Sequence, residues 1–583
     1  MADTIPGLLA EAANRDAAGI WLRTDDGFLS FGGAAARVAA VADALAAAGV
    51  RRGDLVVLTA RATAPYLLCW LALTSLGAIA VAVNPQAATA ELAGLIRQTK
   101  PRALITDAHP LLPSSASTRS ESGVPSPGSP SPGLSPPGLP PPGPPPQEIL
   151  AVTVASAVAA SVRPAIGTLD VAELAGDWAA PQAADAADAA AGSARLTVVP
   201  GPDDIAALIP TSGTTGRSKL VIQTHRAYAM AGEGFPYWLE LTATDRLMTA
   251  LPLFHVNAPA YSVLGSLACG AGLVLLPRFS ASGFLAAARR HGATEFNAIG
   301  AMLEILMRQP EHADDASTPL RLCYTGPAPT RERQEQIERR FGLRIVCGYA
   351  LSETPYGLVW PRGTRPFGTL GAPRQHPRLG TVNEARVVAA DGTQAGPGGT
   401  GELLLRNPAL TPGYWQMPAE TAELITDGWL HTGDLVTVNT DGTYTFVARR
   451  KEVLRRRGEN LSPLEVEEVL LGHPAVLDCA VVGLPAELSE DEIKAFVVAA
   501  PGQRLDLAEL RAWAAARLTA FKVPRYWQVM GELPRTPTAR VAKHRLPAGH
   551  PPGEYDSQAG QPGRPDRPAA ADAAARPAHH PPG

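Results

Sequence analysis

Twelve of the 23 residues from 124 to 146, VPSPGSPSPGLSPPGLPPPGPPP, are proline. Proline fixes φ and carries no N–H, so such a block joins neither a helix interior nor a sheet ladder. It also lacks the apolar surface needed to offset the entropy of ordering. An Ala-rich connector follows it to about residue 195. Residues 111–200 are therefore read as an insertion, largely disordered, that adds reach rather than catalysis. The folded parts must be built from the sequence on either side.

Before the block, 1–110 alternates helical and strand patterns. GGAAARVAAVADALAAAG has helical spacing, whereas DLVVLTA and ALITDA read as strands. The stretch APYLLCWLALTSLGAIAVAVNP, 64–85, is nearly long enough to cross a bilayer. Thr74, Ser75 and Gly77 interrupt it and β-formers end it, so it reads as a buried helix, a glycine turn and a core strand. After the block, folded patterns resume at DDIAALIPTSG. GELLLRN and TYTFVARR read as strands. Beyond them, PLEVEEVLLGHP, LDCAVVGLP, EIKAFVVAAPG and LAELRAWAAARL give helix, strand, strand, helix. The prediction is an α/β protein: a large, multi-subdomain N-terminal domain with a small, mobile α+β C-terminal domain. The N-terminal domain comprises 1–110 and 201–450. The C-terminal domain spans 451–547, and 548–583 is read as a disordered tail.

Composition excludes several classes. A net charge of −4 gives no global attraction for nucleic acid or an anionic membrane. Five scattered cysteines without CxxC spacing exclude a disulfide scaffold or zinc site and suit a reducing compartment. The N-terminus MADTIPGLLAEAANRD lacks a basic-then-apolar leader, which predicts a cytoplasmic protein without an integral membrane segment. A homodimer is among the assemblies the sequence allows.

One loop carries the clearest chemistry. PTSGTTGRSKL, 210–220, packs two Gly, five Ser or Thr and one Lys into a few residues after a predicted strand. Glycines turn backbone N–H groups inward, hydroxyls donate hydrogen bonds, and Lys219 adds a point charge, as an oligophosphate requires. It is not a Walker loop, because Ser218 stands where the second glycine should be. A second glycine cluster, Gly396, Gly398 and Gly401, satisfies GxGxxG but runs into a strand, so it reads as a hairpin turn. Lysine is scarce, six residues among 51 basic ones, yet Lys219, Lys451, Lys522 and Lys543 fall in motif-like segments. A compact ammonium is not interchangeable with a guanidinium, so their retention there is read as a geometric requirement.

TSGTTGRSK resembles the signature of the adenylate-forming superfamily, and further matches follow in that family's order. They are PLFH at 252–255, YTGPAP at 324–329, GYALSET at 348–354, GYW at 413–415 and DGWLHTGD at 427–434. ARRKEVLRRRGENLSPLEVEE at 448–468 and LPRTPTARVAKHRL at 533–546 complete the series. The resemblance implies an ATP-dependent acyl-CoA ligase. A carboxylate attacks the α-phosphate of ATP, giving an acyl-adenylate and pyrophosphate; the CoA thiol then takes the acyl group and AMP leaves. It implies ATP, Mg2+ and CoA as cofactors, with a carboxylic acid substrate. By the same resemblance Thr211, Ser212, Gly213, Thr214, Thr215, Gly216 and Lys219 hold the phosphates. Glu353 is the metal ligand and Ser352 faces the α-phosphate. Tyr349 stacks on adenine beside Gly326, Pro327 and Ala328. Asp434 takes the ribose hydroxyls with Arg449 alongside, His255 gates the acid, and Lys451 occupies the hinge. The family's mobile catalytic lysine aligns with Arg540, with Lys543, three residues on, as the rival.

The position after the gate-motif Phe is His255, where amino-acid-activating relatives usually carry an Asp for the substrate ammonium; CoA is thus the expected acceptor rather than a carrier protein. Phe235, Tyr237, Trp238, Asn257, Tyr261 and Tyr356 are the expected acyl-pocket residues. TPTARVAK is similar to carnitine/crotonobetaine-CoA ligase sequences, and these aromatics could cage a quaternary ammonium or line an apolar slot. The departures Ser218, Leu220, Ala448 and Arg540 leave a non-catalytic nucleotide- or acyl-binding relative as one alternative, and an adenylation enzyme passing the acyl group to a carrier protein is the other.

Overall fold

The computed structural model describes residues 3–107, 167–176, 200–211, 218–326, 328–450, 452–456, 459–485, 491–535 and 541–557. The proline block lies outside them, as do residues 212–217 of the glycine-, serine- and threonine-rich loop, Pro327, Lys451 and 536–540. The chain divides into two compact units, Met1–Arg450 and Lys451–Gly583.

Among the described residues, the first unit contains three sheets. A six-stranded sheet runs, in spatial order, 167–170, 103–106, 55–59, 79–82, 205–211 and 219–224. All its neighbours are parallel except the last pair, 205–211 with 219–224. Val56, Val57 and Leu58 are wholly buried, as a strand covered on both faces must be. The membrane-like stretch forms helix Ala64–Ser75, then Gly77 at φ +67°, then strand Ile79–Ala82. Eleven of the helix's residues are buried, which is why it is apolar all round. Thr74 and Ser75 donate their hydroxyls to the Leu71 carbonyl at 2.9 and 2.7 Å, so the helix tolerates them without water.

A nine-stranded sheet runs 372–373, 354–359, 344–351, 322–326, 295–299, 246–249, 272–275, 20–23 and 28–30. Its central strands are parallel, and an antiparallel hairpin, Arg344–Leu351 with Thr354–Val359, closes one side. A five-stranded antiparallel sheet contains 384–388, 400–406, 425–426, 429–438 and 444–449. The second glycine cluster lies in the connection between its strands 384–388 and 400–406; a Cβ on Gly401 would meet the Val388 carbonyl at 2.2 Å. That glycine therefore serves close strand approach, not phosphate binding.

The second unit has helix Pro463–Leu471, strands Val476–Pro485 and Asp491–Ala499, and helix Leu507–Ala515, the expected order. Strands Tyr526–Met530 and Tyr555–Asp556 extend its sheet.

Two expectations need correction. Residues 167–170, inside the segment read as insertion, form an edge strand paired in parallel with 103–106, and a short helix 171–175 follows. Strand 555–556 lies in the segment read as tail. Its neighbour Glu554 pairs with Lys494 at 2.5 Å, and Lys494 also donates to the Gly549 carbonyl at 2.9 Å. Lys494 is wholly buried in the sheet, so residues 549–556 are structural: they solvate a cation that water cannot reach. Short paired segments escape composition-based reading because two residues carry no period.

Removing one partner of a buried ion pair costs about 3–5 kcal/mol. In Glu554→Ala, amide exchange in strand 491–499 should quicken by roughly two orders of magnitude, and Lys494→Met in the same chain should restore most of the protection. Unchanged exchange in the single variant would show that the tail contributes no stability.

Candidate active site

Strand Ile205–Thr211 pairs antiparallel with Lys219–Thr224, and Thr211 faces Lys219 in register. The serine- and threonine-rich loop thus closes a hairpin, with Thr211 Oγ1 donating to the Lys219 carbonyl at 3.3 Å. Lys219 Nζ stands 4.6 Å from the centre of the Tyr414 ring. Segment 411–415 is stitched to the neighbouring strand. Ile222 N donates to the Gly413 carbonyl (3.1 Å), Trp415 N to Leu220 (2.8 Å), and Thr411 Oγ1 to Ile222 (2.7 Å). These bonds fix the Tyr414 ring against the lysine, where its π face meets the ammonium.

Tyr414 then reaches across to the other sheet, its hydroxyl donating to Glu353 Oε1 at 2.9 Å. Burial, and after it the Glu353 charge, push the Tyr414 phenol well up, so it stays a donor. Glu353 lies in the turn of hairpin 344–359, next to Ser352. Two bonds hold that turn: Gln223 Nε2 donates to the Ser352 carbonyl, and Thr411 N to the Glu353 carbonyl at 2.8 Å. Lys219, Tyr414 and Glu353 form a continuous line of cation, ring and carboxylate. Sequence reading passed over Tyr414. Its signal was the GYW motif, quoted without a role for the tyrosine.

A second group stands on the same hairpin. Tyr349 donates its hydroxyl to Asp434 Oδ2 at 2.6 Å, and Arg449 Nε lies 3.1 Å from Asp434 Oδ1. Asp434 and Arg449 are register partners on strands 429–438 and 444–449, and Asp434 is 1% exposed. Desolvation first, then the Asp434 charge, raise the Tyr349 phenol far above its ordinary range. Gly326 ends strand 322–326, where a Cβ would meet the Gly348 carbonyl at 2.4 Å; Ala328 packs on the core. Tyr349, Ser352, Glu353, Asp434, Arg449, Lys219, Thr211 and Gly326 are thus drawn together through one hairpin and its neighbours.

His255 is half-buried, its ring 4.6 Å from that of Phe254. A π-helix, Ala258–Val263, follows, and Asn257 at its start accepts from Asn297 Nδ2 at 2.8 Å. The expected pocket aromatics take a different part. Phe235, Trp238, Tyr261 and Tyr356 are core residues, and Phe235 stacks on Tyr261 at 5.1 Å. Two of them face a cation that belongs to the chain: Arg374 Cζ lies 4.4 Å from the Trp238 ring and 5.1 Å from that of Tyr261. Tyr237 is half-buried and faces Arg362 at 4.7 Å.

In the second unit, Lys543 Nζ pairs with Glu467 at 2.8 Å and lies 3.7 Å from Glu452. Arg535 and Val541 form a bridge; residues 536–540 between them, Arg540 included, lie outside the described residues. Lys451 lies outside them as well. Among the described residues, no group of three or more His, Cys, Asp or Glu could hold a metal ion. Glu353 fits a magnesium ion held by one carboxylate and substrate phosphates.

The AMP-binding enzyme model matches residues 9–415, and the AMP-binding enzyme C-terminal domain model matches 465–540. The sulfoacetate–CoA ligase of Cupriavidus necator is 35% identical over 352 residues, covering 60% of this chain and 67% of that protein. The crotonobetaine/carnitine–CoA ligase of Salmonella arizonae is 28% identical over 505 residues, covering 85% and 89%. ATP-bound MatB from Rhodopseudomonas palustris superposes with a TM-score of 0.75 at 24% identity, over 93% of this chain and 98% of that one. The anthranilate CoA ligase AuaEII, in complex with anthranoyl-AMP, gives 0.75 at 23%, over 93% and 96%; at such identity these two show the fold. With a family model over most of its length and a site assembled from that family's motifs, the chain belongs to the AMP-binding enzyme family and is an ATP-dependent acid–thiol ligase.

Proposed function

We propose that the chain activates a short, polar carboxylic acid as its adenylate, with Mg2+, and passes the acyl group to CoA. The observation that carries this reading is the line Lys219–Tyr414–Glu353 beside the group Tyr349–Asp434–Arg449. It sets a cation and a metal-ligating carboxylate at one end, and a buried ribose-type acceptor at the other. The substrates of the first step are both anionic, so donors and cations must bring them together. Residues 211–216 and Lys219 take the β- and γ-phosphates, and Ser352 the α-phosphate. Glu353, held by Tyr414, would ligate the magnesium ion, which neutralises phosphate oxygens when bound. Tyr349 covers the adenine, with Gly326, Pro327 and Ala328 opposite. Asp434, oriented by Arg449, accepts from the ribose. His255 stands at the acid's entrance. The carboxylate oxygen bonds to the α-phosphorus as the bond to pyrophosphate breaks. The CoA thiolate then bonds to the acyl carbon and AMP leaves with the carboxylate oxygen. Arg540 bridges carboxylate and α-phosphate in the first step, and Lys451 is the hinge between the two steps.

Two features support the choice of acid. Curated relatives are ligases for sulfoacetate and for crotonobetaine or carnitine, both short and polar. Two of the aromatics expected to cage an ammonium, Trp238 and Tyr261, already face Arg374, which favours a neutral or anionic substituent over a quaternary ammonium. Ion pairing of Lys543 with Glu467 supports Arg540 as the moving cation. Five free cysteines, four of them buried, suit a reducing cytoplasm. Among the described residues no helix is long and apolar enough to cross a membrane.

Mass spectrometry of products from ATP, Mg2+, CoA and a panel of acids is expected to show sulfoacetate-type acyl-CoA at least tenfold above carnitinyl-CoA; the reverse order would overturn the choice of acid. Tyr414→Phe keeps the ring under Lys219 and removes the bond to Glu353. A hydrogen bond to a charged group contributes about 1.5–3 kcal/mol, so ATP–pyrophosphate exchange should fall roughly tenfold or more. Arg540→Ala is expected to abolish exchange, with Lys543→Ala retaining it. Loss in the second variant alone would assign the role to Lys543.

A further inference from the structure

Arg374 is a cation 1% exposed, and among the described residues no carboxylate pairs with it. A guanidinium in such a place must satisfy five N–H groups and spread its charge. It does both. Nε donates to the Leu358 carbonyl at 3.0 Å. Nη1 donates to the Pro355 carbonyl at 3.0 Å and the Tyr261 hydroxyl at 2.9 Å. Nη2 donates to the Tyr324 hydroxyl and, at 3.5 Å, to the Tyr349 carbonyl. The faces of Trp238, Tyr261 and Tyr324 take the charge, at 4.4, 5.1 and 5.7 Å.

Three of these acceptors, the carbonyls of Tyr349, Pro355 and Leu358, belong to one hairpin. Tyr349 is on its first strand; Pro355 and Leu358 are on its second. Between them run Ser352 and Glu353. The guanidinium thus spans the base of the turn that carries the metal-ligating carboxylate and the adenine-facing ring. The approach is close: a Cβ on Gly348 would come within 3.0 Å of Arg374 Nη2. Two asparagines brace the second strand from elsewhere. Asn383 Nδ2 donates to the Gly357 carbonyl at 2.6 Å and Asn407 Nδ2 to that of Tyr356 at 3.1 Å. Of these three side chains Arg374 alone reaches both strands, the first through its 3.5 Å contact with the Tyr349 carbonyl.

We propose that Arg374 is a positioning residue for the nucleotide: it sets the separation of the hairpin strands, and with it the places of Tyr349 and Glu353. The inference rests on the assignment of that hairpin to ATP and Mg2+. A lysine has one ammonium with three donors and cannot span two strands as the planar fork does. Geometry, not charge, is then what the site needs.

The test measures ATP affinity directly, by displacement of trinitrophenyl-ATP from the full chain in Mg2+, with circular dichroism confirming fold. Affinity of the folded fraction does not depend on how much of the protein is folded, so a merely stabilising residue would leave it unchanged. Arg374→Lys and Arg374→Met are expected to weaken ATP at least tenfold and to raise the Mg2+ concentration for half-maximal pyrophosphate exchange. Tyr324→Phe, which keeps the ring and removes one acceptor, should shift both in the same direction by a few-fold. Folded variants that bind ATP within twofold of the native chain would overturn the inference and leave the functional reading standing. Should both Arg374 variants fail to fold, Tyr324→Phe and Tyr261→Phe decide by the same criterion. A native chain that binds no nucleotide would overturn both.

Discussion

The hydrogen bond from Tyr414 to Glu353 joins two sheets, and the site is the seam they make. The six-stranded sheet ends in strand Lys219–Thr224, on which segment 411–415 is laid by backbone bonds; the nine-stranded sheet contributes hairpin 344–359. Gln223 and Thr411 add bonds from the first side to the turn on the second. Buried backbone groups must find partners, and here they find them across the seam. Lys219 and Glu353 inherit their spacing from that obligation. Lys219 is held by a strand, Glu353 by a turn, and the tyrosine between them sets how far apart they stand.

Much of this arrangement was legible in the sequence, for identifiable reasons. The apolar runs gave the helix at 64–75 and the strands at 55–59, 79–82 and 103–106, because each is buried over all but one residue or over its whole length. Asp434 and Arg449 were singled out by motif, and the ladder makes them register partners. Glu353 and Tyr349 were found likewise. What the sequence could not convey was which partner each polar group would meet. Scarce lysines seemed to mark geometry, yet Lys522 pairs with Glu465 at 2.7 Å and Lys543 with Glu467, both on helix 463–471. Composition cannot tell a cation that meets a ligand from one that meets a carboxylate. Lys494, overlooked, is the most deeply placed of them, because its solvation comes from a tail that reads as disordered.

The aromatic residues teach the same lesson from the other direction. Phe235, Trp238, Tyr261 and Tyr356 cluster in sequence near the expected acyl region, and a cage was one reading of them. Their cation is separated from Tyr261 by 113 residues, beyond any local pattern. A buried arginine without a carboxylate is costly unless every donor is met, and the carbonyls of a hairpin together with two phenols meet them.

That completeness bears on how such a protein diverges. A guanidinium with acceptors on several strands cannot be exchanged one contact at a time. Changing Tyr261 or Tyr324 strands a donor, and changing Arg374 strands several acceptors. Drift in this part of the wall must be concerted or not occur. Positions outside the knot and nearer the surface, such as half-buried Tyr237, are tied by fewer such bonds. Relatives that come to accept different acids should therefore differ first at those margins, with the buried arginine and its phenols inherited or lost as a set.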